Sequence, residues 1–81
     1  MPKRKSRAAR YQEALELIGR GRDQIEELRD ELQDWLDGMP ENLQESSKAE
    51  QLQEAIDELD TMAENAIEIE ETAVEFPGMF G

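Results

Sequence analysis

The chain has 81 residues, 21 acidic and 9 basic, for a formal net charge of -12, and it contains neither cysteine nor histidine. Those absences exclude disulfides, thiolate and imidazole metal sites, and nucleophile or base chemistry built on either residue. The length supports one small domain whose core, lacking a covalent staple, is thermodynamically marginal unless something enlarges it.

No apolar run approaches the ~18 to 20 residues a membrane span needs, and no apolar signal core follows the basic N-terminus, so a soluble, cytoplasmic protein is expected, with no membrane partner. Charge is strongly polarised along the chain. Through residue 22 there are seven basic residues against two acidic, and beyond it only Arg29 and Lys48 against nineteen acids. An acidic body of this kind repels nucleic acid and favours basic protein partners, with association that weakens as salt rises.

Residues 1–7, Met-Pro-Lys-Arg-Lys-Ser-Arg, are too charged to pack and read as a basic flexible arm. From about Ala8 a helical pattern takes over. Tyr11, Ile18, Ile25, Leu32 and Met39 recur every seven residues, and Ala14, Gly21, Leu28 and Trp35 follow the first four of them by three. This a/d heptad series predicts a coiled-coil helix with one apolar seam, widened by Leu15, Leu17 and Leu36. Gly19 and Gly21 each cost roughly 1 kcal/mol in a helix interior, and Asp23 with Glu26 offers a start for a new helix. The seven-residue spacing nonetheless passes from Ile18 to Ile25 without a phase slip, which favours one helix over residues 8–37, bent if at all at Gly19–Gly21.

Gly38 is placed to end that helix in a left-handed conformation, and Pro40 forbids its continuation. A short turn over residues 40–45 follows, and Ser47 with Glu50 matches a capping box opening a second helix over residues 48–72. Its apolar positions are Ala49, Leu52, Ala55, Ile56, Leu59, Met62, Ala63, Ala66, Ile67, Ile69 and Ala73. The short connection forces an antiparallel helical hairpin, all-α, with facing residues whose numbers sum to roughly 85–89. Trp35 and Leu36 then meet Leu52, Leu32 meets Ile56, Leu28 meets Leu59, Ile18 meets Ile67 or Ile69, and Tyr11 or Leu15 meets Ala73 or Val74. The same register brings Arg10, Arg20 and Arg22 towards Glu64, Glu68, Glu70, Glu71 and Glu75. One buried stripe per helix is a weak basis for stability, and the exposed remainder of Leu17, Trp35, Leu36, Ile67 and Ile69 suggests a second packing surface, so the hairpin is expected to complete a four-helix bundle, by dimerisation or with another protein.

No catalytic constellation emerges, and neither an enzyme nor a cofactor is expected. Ser6, Ser46, Ser47, Thr61 and Thr72 fall in a tail, a cap or a polar helix face. A calcium loop around Asp34, Asp37 and Gly38 puts Gln33 and Trp35 at liganding positions and Gln44 where the bidentate Glu belongs. A di-iron bundle needs histidine, and Gly19-Arg20-Gly21 lies within a helix without the context of a phosphate loop.

Three features can carry binding. The arm supplies Lys3, Arg4, Lys5, Arg7 and Arg10 for phosphate, making nucleic acid a candidate partner. The acidic bend supplies Asp30, Asp34, Trp35, Asp37, Met39, Glu41, Leu43 and Glu45 for a protein with a basic surface. Residues 74–81 form an acidic, aromatic tail in which Phe76, Met79 and Phe80 either dock to a partner or fold back to cap the open end near Tyr11 and Leu15. The tail loosely resembles the acidic, phenylalanine-ending tails of bacterial single-stranded-DNA-binding proteins.

The segments Leu32-Gln33-Asp34-Trp35-Leu36-Asp37-Gly38-Met39-Pro40-Glu41-Asn42-Leu43-Gln44 and Lys48-Ala49-Glu50-Gln51-Leu52-Gln53-Glu54-Ala55-Ile56-Asp57 resemble small acidic helical proteins of unassigned function from tailed bacteriophages. The resemblance implies a bacterial host cytoplasm or a virion, and a partner in the host machinery. The expected function is a protein-interaction module, an acidic helical hairpin binding a basic surface of another protein as a small inhibitor or accessory factor. The alternative is a structural or nucleic-acid-associated assembly component that uses the basic arm.

Overall fold

The computed structural model describes residues 5–43 and 46–77. Two helices, α1 (Arg7–Asp37) and α2 (Ser47–Glu71), pack against each other through a bend that contains a 3-10 turn, Glu41–Leu43, and there is no strand among the described residues. Lys3, Arg4, Glu45, Met79 and Phe80 lie outside the described residues.

α1 begins at Arg7 because the hydroxyl of Ser6 accepts the Ala9 N–H at 3.1 Å, so the helix takes up the last residue assigned to the arm. It then runs unbroken through Gly19 and Gly21. At Gly19 the missing side chain has a use: a Cβ there would stand 3.0 Å from the Glu70 carboxylate, whereas one at Gly21 would meet nothing within 4 Å.

The bend departs from the expected chemistry in two places. Gly38 is right-handed, at φ -84° and ψ -3°, and no described residue has a positive φ. The helix stops because Pro40 cannot donate a hydrogen bond and holds Met39 out of the helical region. Pro40 then accepts the Leu43 N–H at 2.9 Å, making the 3-10 turn. The cap of α2 is Ser46, not Ser47: its hydroxyl accepts the Ala49 N–H at 3.3 Å and donates to the Leu43 carbonyl at 2.5 Å. Ser46 thereby ties the turn to the helix with one side chain, which Ser47, already inside the helix, cannot do. The register moves by one residue, and Glu50 falls too late to close a capping box.

The seam between the helices follows a different row from the expected one. On α1 the half-buried inward series is Tyr11, Leu15, Ile18, Arg22, Ile25, Arg29, Leu32 and Leu36, and the half-buried Met39 follows just past the helix end. The first heptad set thus faces α2 as expected, but its companion row lies four residues on from each, through Leu15, Arg22, Arg29 and Leu36. Leu28 and Trp35, expected in the seam, are 51% and 52% exposed. On α2 the inward series is Ala49, Leu52, Ile56, Leu59, Ala63, Ala66 and Glu70, of which only Ala49, Leu52, Ile56 and Ala63 are buried. Ile67 and Ile69, expected opposite Ile18, are exposed.

The outcome is an elongated body of 66 × 25 × 14 Å. Its radius of gyration of 19.4 Å compares with about 12 Å for a compact domain of this length. With so small a core, Ile56→Ala is expected to cost about 2 to 4 kcal/mol in urea denaturation, while Glu54→Ala on the outer face stays within about 0.5 kcal/mol. Ser46→Ala is expected to cost about 1 kcal/mol in the same measurement and Ser47→Ala less than half of that, the reverse of what a cap at Ser47 requires.

Candidate functional site

Two arginines occupy positions in the seam where a coiled coil ordinarily places leucine. Arg22 reaches across to Glu70, Nε to Oε2 at 2.6 Å and Nη2 to Oε1 at 3.4 Å, and its Nη1 holds Glu26 one turn along at 2.8 Å. Arg29 bridges to Asp60 at 2.8 Å and touches Asp30 at 3.3 Å. Hydrogen bonds to Glu70 and then Glu26 raise the Arg22 pKa above its usual value. The bond to Asp60 does the same for Arg29, against an opposing desolvation. A raised pKa contributes stability that is present throughout the range below the ordinary arginine value, so from the arginine side these bridges persist at any ordinary pH.

These bridges lie to one side of the seam, together with Gly19, Glu26 and Gln33 of α1 and Gln53 and Asp60 of α2. At the bend end of that side Gln33, Leu36, Asp37, Ala49, Glu50 and Gln53 line a shallow groove of about 500 Å³. The opposite side is apolar. Ala14, Gly21, Leu28 and Trp35 recur along it every seven residues on α1, and Lys48, Ala55, Met62 and Ile69 do so on α2. The two rows are joined where the Lys48 ammonium sits 5.9 Å from the centre of the Trp35 ring. Leu28, Trp35, Met62 and Ile69 on this side are each about half exposed.

The expected acidic bend is assembled by the fold. Asp34, Asp37, Glu41, Glu50, Glu54 and Asp57 make no ion pair among the described residues. Asp37 and Asp57 instead accept from Gln33 and Gln53, four residues earlier, at 2.9 and 3.0 Å. Asp30 is held by Arg29, and Trp35 and Leu43 are exposed while Met39 is half-buried. At the open end Lys5 is paired with Glu13, which raises the Lys5 pKa. Arg7, Arg10 and Arg20 make no ion pair among the described residues, so of the three arginines expected beside the α2 glutamates only Arg22 finds one.

Phe76 folds back onto Tyr11, ring centres 5.3 Å apart and tilted at 60°, and the Tyr11 hydroxyl donates to the Thr72 carbonyl at 3.0 Å. Tyr11 thus closes the open end by both its ring and its hydroxyl.

Of the residues expected on a second packing surface, Leu17, Trp35, Ile67 and Ile69 are exposed and Leu36 is half-buried in the seam, while Leu28 and Met62, expected inside the hairpin, are exposed. The signal that could have found the apolar side is the second seven-residue series on α2, Lys48, Ala55, Met62 and Ile69, which has no place in a two-helix seam already filled by Ala49, Leu52, Ile56, Leu59 and Ala63.

Replacing Arg22 by Met strands Glu70 and Glu26 and is expected to lower the thermal midpoint measured by circular dichroism. Pairing it with Glu70→Leu is expected to recover part of the loss, since only Glu26 then remains without its cation.

No protein-family model, no curated protein and no solved structure matches this chain.

Proposed function

We propose that this hairpin is a non-enzymatic protein-interaction module that presents the acidic surface around its bend to a basic surface of another protein, acting as a small inhibitor or accessory factor. The observation that carries the reading is the row of bend carboxylates that make no ion pair among the described residues, Asp34, Asp37, Glu41, Glu50, Glu54 and Asp57, at the end opposite Arg7, Arg10, Arg20 and Arg22. Outnumbering Lys48 and Arg29 in that half of the hairpin, they project a negative field that steers a cationic partner and fixes its orientation. Leu43, exposed within the same region, supplies an apolar anchor of the kind that concentrates binding energy in an interface. The expected setting is the cytoplasm, and the expected form of the folded body is a four-helix bundle completed by a second packing surface.

A second reading, a nucleic-acid-associated assembly component, draws on Arg7 and Arg10, one turn apart at the open end and without acidic partners. Affinity capture from the native host separates the two. Neutralising the bend with Asp34→Asn, Asp37→Asn and Glu41→Gln is expected to abolish capture of the protein partner, and unchanged capture overturns the leading reading. Removing residues 1–4 and replacing Arg7 and Arg10 by Gln leaves the Ser6 cap in place. Loss of nucleic-acid association in that variant, with protein capture intact, is the outcome the second reading requires.

A further inference from the structure

We infer that the apolar side of the hairpin, built by Leu28, Trp35, Met62 and Ile69, is the contact face for a second copy of this chain, which turns two hairpins into a four-helix bundle. This deepens the reading of a bundle completed by a second packing surface, by naming both the face and the occupant.

Three observations support the face. The chain exposes 6877 Å², whereas a compact protein of 9.3 kDa exposes about 5,000 Å². The excess is the surface an elongated hairpin has not buried against anything. The exposed apolar side chains are also contiguous: the row from Ala14 to Trp35 runs beside the row from Ile69 back to Lys48, and Leu17, exposed and one turn from both Ala14 and Gly21, extends it at the open end. Scattered surface leucines are ordinary, but a paired row along two helices is the pattern of a packing face.

The third observation is electrostatic and selects the occupant. Carboxylates crowd the outer positions of both helices, among them Glu27, Asp34, Glu54 and Glu68, yet the charges of the apolar side and its outer rim are few and nearly cancel. On that rim α1 carries Arg10, Leu17, Gln24 and Glu31, and α2 carries Gln51, Glu58, Asn65 and Thr72. With Lys48 in the α2 row and Arg7 at the head of the α1 row, the whole side carries three cations against two anions on a chain whose net charge is -12. Such a face offers a basic partner no counter-charge. It accepts another neutral apolar face without juxtaposing like charges, and a second copy presents that face while keeping both acidic surfaces turned outward and apart.

The area is sufficient. The apolar row of α1 spans 22 residues from Ala14 to Trp35, about 32 Å of helix, and two helices side by side are about 20 Å across, so each copy contributes about 600 Å². A pair then buries about 1,200 Å², at the lower end of stable protein interfaces and above the 1,000 Å² or so that separates them from incidental contacts. Trp35 goes from half exposed to covered, which makes the only tryptophan of the chain a reporter of association.

The purified full-length chain is expected to sediment at twice its 9.3 kDa at micromolar concentration, with a blue shift of Trp35 emission as concentration rises through the transition. Met62→Glu is expected to weaken self-association about 100-fold or more, since it buries an unpaired carboxylate. Ile67→Glu, on the other side of the hairpin, is expected to leave it intact. Should Met62→Glu fail to fold, single cysteines in this otherwise thiol-free chain decide the matter. A thiol at Met62→Cys is expected to become several-fold slower to alkylate in the dimer, while one at Glu54→Cys keeps its rate. A folded monomer at every concentration overturns the inference, and so does a dimer in which Met62→Cys stays fully reactive. Because no partner is present, these outcomes are independent of the bend-neutralised captures, which test the acidic surface with the dimer intact.

Discussion

The structure turns on the placement of two guanidinium groups. Arg22 and Arg29 sit in the seam and reach carboxylates of the opposite helix, Glu70 and Asp60. A helix with apolar residues at three adjoining positions of its heptad can bury either of two stripes, and hydrophobic area alone favours the one containing Leu28 and Trp35. Turning the helix the other way brings two arginines to two acids that would otherwise have no cation among the described residues, and it leaves room at Gly19 for the Glu70 side chain. Bridges of this kind contribute little net stability but penalise other registers heavily, because any slip leaves charges partly buried and alone. They specify the register of the hairpin more than they strengthen it.

From that choice follows the division of the molecule into unlike sides. The arginines and their acids form a polar side, with glutamines completing it towards the bend. The residues displaced from the seam, Leu28 and Trp35, come to lie beside Met62 and Ile69 on the opposite side. The carboxylates that neither side uses occupy the outer helix positions and the bend. Each side of the hairpin therefore suits a different neighbour: α2 across the seam, an apolar surface along Leu28 and Met62, and water or a cationic protein along the outer acids.

The small core gives these surfaces their weight. Ala49, Leu52, Ile56 and Ala63 are the only buried residues among those described, and two of them are alanines. Alanine lets the helices approach closely but removes little apolar area from water, so the hairpin draws much of its persistence from its ends. Ser46 fastens the bend to α2, and Tyr11 fastens the open end through Phe76 and the Thr72 carbonyl. These fastenings hold the two helices in register beneath the acidic surface.

The sequence by itself determined that the chain is two long helices folded back on each other. Seven-residue periodicity from Tyr11 to Met39, a proline at position 40 and a serine-rich start to the second helix are local signals, and local hydrogen bonding and backbone sterics read them without help. It also set the polarity of the charge, since the arginines lie early in the chain and the bend is acidic whatever the packing. Only the tertiary structure decided which stripe of α1 faces α2, because the two candidate rows differ by one residue of helix rotation and the difference is resolved by partners more than thirty residues away. The same holds for the cap at Ser46, whose hydroxyl is chosen over that of Ser47 by the position of the Leu43 carbonyl. The place of Leu28 was hidden for the same reason: a leucine at position 28 reads as core in one rotation and as surface in the other, and the rotation observed is the one that pairs Arg22 with Glu70 and Arg29 with Asp60.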